Sequence, residues 1–277
     1  MGELNRSFIG KTYDAKTFKV EADRTTAYAA ATNDERPEYT DESRAGGITA
    51  PLLFAVVPAT DLLIASLTDS EVGLPLDRTL HGEQDMTFVN PIRPGDVLVT
   101  DAKIVDIAET STGETLSTEI VSRTEEDEER VRSLMTAYVR DPSKKRDKKI
   151  EEVPDRGEPL ARATMSVRSD QPGVYAEASG DHNMPHTNED FAKAIGFRTV
   201  ILQGLCTMAF SSKAIVDELC GGDPTKLKRL KVRFSKVVYP DDVLTTSIWE
   251  RDGVYVFDMR NQEGALVIKD GVAEIEA

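Results

Sequence analysis

Apolar residues recur at steps of three and four through a long stretch in the second half of the chain. The positions on this stripe are Ile201, Leu205, Met208, Ile215 and Leu219. This spacing places them on one face of a helix. A pair of glycines at 221–222 is expected to end that helix, so we predict a long core-facing helix at 201–219. A second apolar stretch, at 51–67, is shorter than a membrane span and is predicted to be a buried helix.

Runs rich in β-branched and aromatic residues follow both apolar stretches and are typical of short strands. The predicted strands are 86–90, 97–107, 114–123 and 130–139 in the first half, and 230–238, 243–250, 254–260 and 265–273 in the second. Turn signals separate them, and the acidic run at 125–129 is predicted to be a hairpin tip. Antiparallel strands wrapped on one long helix predict an α+β fold.

The chain repeats itself. The stretch 28–34 resembles 175–181, an offset of 175 − 28 = 147 residues, and Phe88 corresponds to Phe234 at an offset of 234 − 88 = 146 residues. Such self-similarity predicts two copies of one structural unit. The charged stretch between them is typical of a linker. We therefore predict a first unit at 1–141, a linker at 142–157 and a second unit at 158–277.

Composition narrows the class of protein. The net charge of −15 disfavours binding to nucleic acid or to anionic membranes, since both need a basic face. The N-terminal residues lack the apolar core of a signal peptide. Two cysteines, Cys206 and Cys220, give no disulfide framework, so we expect a cytoplasmic protein with two buried, inert thiols.

The most informative stretch is the loop that holds Asp181, Asn183 and His186. A carboxylate and an imidazole close together make a plausible acid–base pair, and Gly204 near the start of the long helix offers a backbone N–H to a developing oxyanion. Two simpler interpretations stay open at this point. Asp181 is also a common turn residue, and a glycine at 204 also permits close packing.

The remaining histidines suggest no metal site. His182 and His186 stand four residues apart, as two ligands on a helix would, but Pro185 between them breaks the regular helix. We predict no metal ligands and interpret His182 as a spectator. His81 is isolated in the sequence and is predicted to be a surface or structural histidine. The chain also lacks a nucleophile-elbow serine and a phosphate-binding Gly-Lys-Ser loop.

The second copy is similar to the hydratase 2 motif of MaoC-like dehydratases, in which a Gly-Asp pair precedes an Asn and a His. Here Gly180, Asp181, Asn183 and His186 have the spacing of that motif. The first copy resembles the N-terminal half of double-hotdog hydratases. The chain departs from the motif at Gln203, where histidine is common, and at Val200, where proline is usual. Met184 and Pro185 also reverse the usual order of proline and aliphatic residue.

The resemblance implies a double hotdog and reversible hydration of trans-2-enoyl-CoA to (3R)-3-hydroxyacyl-CoA. Asp181 and His186 would be the acid–base pair acting through one water, supported by Asn183 and Gly204. Coenzyme A would enter as part of the substrate, with no separate cofactor, and Arg198 and Lys236 are candidate partners of its phosphates. The first copy should be catalytically silent and form part of the pocket, because Arg36 and Tyr39 stand where the second copy has Asn183 and His186.

Several alternatives keep the fold and change the activity. The substrate could be a branched or dicarboxylic enoyl-CoA, or a thioester of an acyl carrier protein. A hotdog thioesterase and a non-catalytic acyl-CoA-binding subunit are further possibilities. The sequence leaves open whether two such chains form a homodimer.

Overall fold

A computed structural model of the chain describes residues 4–144 and 156–276. Strands and α-helices alternate in two similar series along these residues. The strands are β1 (Thr12–Lys19), β2 (Thr79–Phe88), β3 (Val97–Thr110), β4 (Gly113–Thr124), β5 (Glu129–Arg140), β6 (Ala161–Ser166), β7 (Leu227–Phe234), β8 (Val243–Arg251), β9 (Val254–Asn261) and β10 (Leu266–Ile275). The helices are α1 (Ala22–Ala31), α2 (Pro37–Thr40), α3 (Val56–Thr68), α4 (Gln171–Ser179), α5 (Met184–Thr187), α6 (Glu189–Ala194) and α7 (Gly204–Leu219).

The strands of the described residues form one continuous sheet in the order β1-β3-β4-β5-β2-β7-β10-β9-β8-β6. Every neighbouring pair is antiparallel. The first five strands lie on one side and the last five on the other, so the pairing of β2 with β7 joins the two copies. The predicted α+β fold with two antiparallel units is confirmed.

One long helix packs on each half of the sheet. α3 lies against β1, β3 and β4, and α7 lies against β6, β7 and β8. α7 buries most of its length, including Cys206, Met208, Phe210 and Ile215. Burial of a large apolar side chain stabilises the fold by about 1.5–3 kcal/mol. Because the buried face of α7 must be apolar, the regular spacing of its apolar residues predicts the helix.

The repeat is visible where α1 meets α4. Tyr28 and Tyr175, which occupy the same position in the two copies, are both fully buried. Their hydroxyl oxygens lie 3.1 Å apart, and their ring centroids are separated by 5.6 Å. Equivalent residues therefore meet near the axis that relates the two halves.

Some element boundaries differ from the predictions. α7 begins at Gly204 rather than at 201, because the Leu202 N–H donates to the Val238 carbonyl (2.8 Å) and holds the preceding residues extended. The first-half helix begins with a 3₁₀ turn at Leu52–Ala55 before α3. Strands β1 and β6 were missed. Both lie at sheet edges and neither contains a buried position, so neither has the strongly apolar positions of the central strands.

The predicted linker falls largely outside the described residues, since 145–155 are not among them. β5 ends at Arg140 and β6 begins at Ala161, and the unit boundaries at 141 and 158 stay a prediction. Among the described residues, no helix is both long and apolar enough to cross a membrane.

Candidate active site

The loop that carries the predicted acid–base pair begins where α4 ends. Gly180 closes the helix in the left-handed conformation (φ 82°), which glycine adopts without strain. The Asp181 N–H then donates to the Ser179 hydroxyl at 3.2 Å. Pro185 lies in the first turn of α5, where a missing N–H costs nothing, and this short helix presents His186.

Asp181, Asn183 and His186 come together. The Asn183 side-chain amide donates to Asp181 Oδ1 at 2.7 Å, and the Asn183 backbone N–H approaches the same oxygen at 3.3 Å. The other carboxylate oxygen, Oδ2, lies 3.9 Å from His186 Nε2. That separation is too long for a direct hydrogen bond, but it suits two groups that act on one shared oxygen atom.

The His186 ring has a defined tautomer. Its Nδ1 lies 2.8 Å from the Ile201 carbonyl oxygen, which can only accept, so Nδ1 carries the proton of the neutral ring. Nε2 is then left with its lone pair directed toward the Asp181 side of the site. The side chains of His186 and Asp181 are 15% and 24% exposed, so both groups remain partly accessible to solvent.

Gln203 ties this loop to the start of α7, where it is the N-cap residue. Its side chain is buried, and its Nε2 donates to the carbonyl oxygens of Asp181 (3.3 Å) and Pro172 (3.1 Å). Since both partners can only accept, the orientation of the amide is fixed. The residue that stands in place of the more common histidine therefore holds the backbone of Asp181.

We expect Gln203→Met to lower the free energy of unfolding by about 1–3 kcal/mol, because two buried carbonyl groups lose their donor. Chemical denaturation followed by circular dichroism measures this difference. Gln203→His is the matched variant, since it keeps a ring N–H, and should be the more stable of the two. Equal stability of the two variants would contradict the donor role.

Gly204 is the first residue of α7, so its N–H belongs to the first turn, whose amides have no partner within the helix. The positive end of the helix dipole reinforces that donor. A Cβ atom at this position would lie 3.3 Å from the Phe234 ring. Gly204 thus packs closely against Phe234 and has its N–H in the first turn of the helix. Its role as a donor to the thioester oxygen stays a prediction.

The two predicted phosphate-binding cations have different surroundings. Arg198 lies 3.3 Å from a buried carboxylate oxygen of Asp242 and stacks over the Tyr239 ring at 4.0 Å. These contacts hold the arginine against the turn before β8, although its side chain stays half exposed. Lys236 is exposed and lies two residues beyond Phe234, with no ion pair among the described residues.

Sequence reasoning missed His81, which β2 brings from the first half. Its ring centroid lies 4.9 Å from that of Phe234, and the Asp181 carboxylate is close enough to favour its charged form. Burial dominates and lowers the pKa of His81 to about 4, against a hydrogen bond to Gln84. Of the two interpretations given to His81, surface or structural, its partly buried ring and its hydrogen bond to Gln84 fit the structural one. No local signal could have placed it, because the contact depends on the pairing of β2 with β7.

Asp34, the counterpart of Asp181 in the first half, is blocked by an ion pair. Both oxygens of Asp34 accept from the Arg36 guanidinium, at 2.8 and 2.9 Å. Arg36 also contacts Asp217 of α7 at 3.1 Å, and Tyr39 is 2% exposed. The carboxylate is thus fully engaged, and the residue in place of His186 is buried.

The described residues were also compared with two other kinds of site, a metal centre and a cysteine nucleophile. They contain no group of three or more His, Cys, Asp or Glu side chains placed to hold a metal ion. Both cysteines are buried, as expected, and burial raises the pKa of each thiol, that of Cys220 to about 11. Such thiols are poor nucleophiles. His182 is exposed and lies 3.8 Å from Glu177, away from the pair formed by Asp181 and His186.

Comparison with protein families separates the same two halves. Residues 151–271 match the MaoC like domain, and residues 7–134 match the FAS1-like, dehydratase domain region. The probable enoyl-CoA hydratase 2 of Dictyostelium discoideum is 27% identical over 236 residues, covering 82% of this chain and 80% of that protein. The peroxisomal multifunctional enzyme type 2 of Drosophila melanogaster is 30% identical over 209 residues, covering 73% of this chain but only 34% of that protein.

Solved structures show the fold. A MaoC-like dehydratase from Phytophthora capsici superimposes with a TM-score of 0.85 at 22% identity, over 99% of this chain and 98% of that one. A Mycobacterium tuberculosis protein described as having a double hotdog fold superimposes with a TM-score of 0.60 at 12% identity, over 96% of each chain. The double hotdog predicted from the resemblance is therefore confirmed.

Proposed function

Because this chain is a hydro-lyase of the MaoC-like dehydratase family, we propose that it interconverts trans-2-enoyl-CoA and (3R)-3-hydroxyacyl-CoA at the site formed by Asp181, Asn183 and His186. The observation that carries the proposal is the separation of 3.9 Å between Asp181 Oδ2 and His186 Nε2. Both groups can then contact one water molecule. The relatives named enoyl-CoA hydratase 2 support the same reaction.

Hydration needs a base at the water and an acid at the α-carbon. The water oxygen adds to the β-carbon as its proton passes to the Asp181/His186 pair, and the electrons of the carbon–carbon double bond move onto the thioester oxygen. When these electrons return to the α-carbon, that carbon takes up the proton that the Asp181/His186 pair accepted from water, and the 3-hydroxyacyl thioester is formed. Since the neutral His186 ring has its lone pair on Nε2, it is well placed to accept a proton.

Two further groups support this cycle. Asn183 holds Asp181 Oδ1, which leaves Oδ2 for the reaction. The N–H of Gly204 donates to the thioester oxygen as negative charge develops there, and one such preorganised donor is worth about 3 kcal/mol in the transition state. Neither task requires a metal or a redox cofactor, and the prediction that coenzyme A enters only as part of the substrate stands as a proposal.

The first half has a supporting role in this proposal. Its Asp34 is bound by Arg36, so we assign it no acid–base task and regard this half as part of the pocket. Arg198 and Lys236 remain the proposed partners of the coenzyme A phosphates, with Lys236 the more available of the two. A cytoplasmic location stays a prediction, since the Drosophila relative is named as peroxisomal.

The test is the loss of the enoyl-thioester absorbance of crotonyl-CoA, with the configuration of the 3-hydroxy product determined by chiral chromatography. We expect turnover and the (R) product. Release of free thiol from the same substrate would indicate a thioesterase instead. Crotonyl thioesters of an acyl carrier protein, and longer, branched or dicarboxylic enoyl-CoA esters, are assayed in parallel. Turnover of the carrier-bound ester alone would correct the substrate class, and binding without turnover of any ester would indicate a non-catalytic subunit.

We expect Gly204→Ala to lower kcat/KM for crotonyl-CoA by about 10–10²-fold, because the added methyl group crowds Phe234 and keeps the thioester oxygen from the N–H. Gly173→Ala is the matched control. Gly173 lies in α4 with open space at its Cβ position, so that variant should keep wild-type activity. Wild-type activity in Gly204→Ala would contradict the proposed oxyanion site.

A further inference from the structure

Strand β2 contains a bulge that places His81 on the inner face of the sheet. The buried positions of this strand alternate, at Gln84, Met86 and Phe88. His81 is three residues from Gln84, so regular alternation would send it to the outer face. The register with β5 shifts between His81 and Glu83, which makes Gly82 the inserted residue. Bulges of this kind re-aim a side chain, and His81 Nε2 lies 2.9 Å from Gln84 Oε1 as a result.

His81 belongs to a short chain of polar groups. The Gln84 amide nitrogen donates to the Ser133 hydroxyl, so Gln84 Oε1 faces the histidine and accepts its Nε2–H. Gln84 is 3% exposed. Replacement of both partners of a buried hydrogen bond by apolar groups of similar shape is nearly neutral or stabilising, so an apolar pair would serve the packing of the sheet equally well.

The second half has that apolar pair. At the offset of 146 residues, 81 + 146 = 227 and 84 + 146 = 230, so Leu227 and Leu230 are the counterparts on β7. Both are fully buried. The backbone feature is shared as well, because the register with β10 shifts at Lys228. The same bulge therefore carries leucine on one strand and histidine on the other.

The residues around the two bulges correspond to each other in the two halves. A cavity in the first half is lined by Leu227, Phe88 and Leu52. Phe88 corresponds to Phe234, and Leu52 corresponds to Gly204, since each directly follows the residue that caps its helical segment. The position of Leu227 at this cavity matches the position of His81 at the site of the second half.

We propose that His81 is a positioning residue of the hydratase site, supplied by the first half, which fixes Phe234 against Gly204 and with it the thioester at the Gly204 N–H. This inference rests on the proposed function. It is carried by the edge-on contact of the His81 and Phe234 rings at 4.9 Å and by the distance of 3.3 Å from Phe234 to a Cβ position at Gly204.

The role is one of position rather than of proton transfer. Burial lowers the pKa of His81 to about 4, so the ring is neutral in the range where His186 and Asp181 are proposed to act. Its Nε2–H is bound to Gln84. Removal of the ring should therefore change the rate without moving the limbs of the pH–rate profile.

The test is the double variant His81→Leu/Gln84→Leu, which copies the leucine pair of the other half. We expect a wild-type circular dichroism spectrum and melting temperature, with kcat/KM for crotonyl-CoA lowered by about 10–10²-fold. His81→Gln keeps an N–H near the position of Nε2 but lacks the ring that contacts Phe234, so its kcat/KM should also fall while the limbs of the pH–rate profile stay where they are. Leu80→Gln, at the exposed neighbouring position, is the control expected to match wild type.

Asp181→Asn is assayed beside these variants. If it is inactive while the leucine double variant keeps wild-type activity, His81 has no part in the site and the proposed function stands. If Asp181→Asn itself stays active, the proposed function fails. A loss of activity in the double variant that only follows its loss of folded protein, or a pH profile altered by His81→Gln, would also overturn the positioning role.

Discussion

Replacement of His186 by alanine is expected to lower kcat/KM for enoyl-thioester hydration by about 10²–10⁴-fold, the usual contribution of a general acid or base. The reason is specific to the tautomer. The hydrogen bond from His186 Nδ1–H to the Ile201 carbonyl directs the basic Nε2 toward Asp181. Steady-state kinetics with crotonyl-CoA over a range of pH measures the loss.

His182→Ala is the matched control for this prediction. His182 belongs to the same loop, but its side chain is 56% exposed, so the variant should keep wild-type kinetics. A His186→Ala enzyme with wild-type kcat/KM would show that proton transfer takes place elsewhere.

Asp181→Asn is expected to lower kcat/KM by a similar factor of about 10²–10⁴-fold. The substitution preserves the size of the side chain and an oxygen for the Asn183 amide, so the loop should keep its shape. It removes the charge of the group that faces His186 Nε2 at 3.9 Å. The loss should therefore be seen in kcat, with a folded protein and a small change in KM.

The matched variant is Asp34→Asn at the same position of the first half. Here the carboxylate is bound by Arg36, with further contacts to Lys213 and Asp217 around the pair. Loss of its charge should lower the free energy of unfolding, because it leaves a buried arginine with fewer partners, while activity per folded molecule is kept. A large loss of kcat in Asp34→Asn, with none in Asp181→Asn, would mean that the reaction takes place in the first half and would contradict the proposed site.

The parts of this molecule that were predictable from the sequence are those set by local spacing. The stripe of apolar residues on α7 is determined within a few helical turns. Asp181, Asn183 and His186 are also close in sequence, so their meeting required only a loop.

The parts that could not be predicted depend on contacts between distant residues. His81 reaches the site only because β2 pairs with β7 and because Gly82 is inserted in the strand. The role of Gln203 needed its two carbonyl partners, which lie 22 and 31 residues away in the sequence. Arg198 is a plausible phosphate partner by sequence, and only the structure shows its contact with the buried Asp242.

The contact between the hydroxyl groups of Tyr28 and Tyr175 bears on which substitutions such a chain can accept. In a dimer of identical subunits, a residue that meets its own image across the axis is altered on both sides by every substitution. Here the two tyrosines belong to one chain, 3.1 Å apart, and each can be exchanged alone. The same freedom applies to every matched pair of positions, so a histidine can be kept at one bulge and a leucine at the other. In the function proposed above, covalent fusion lets one half specialise in chemistry and the other in shape.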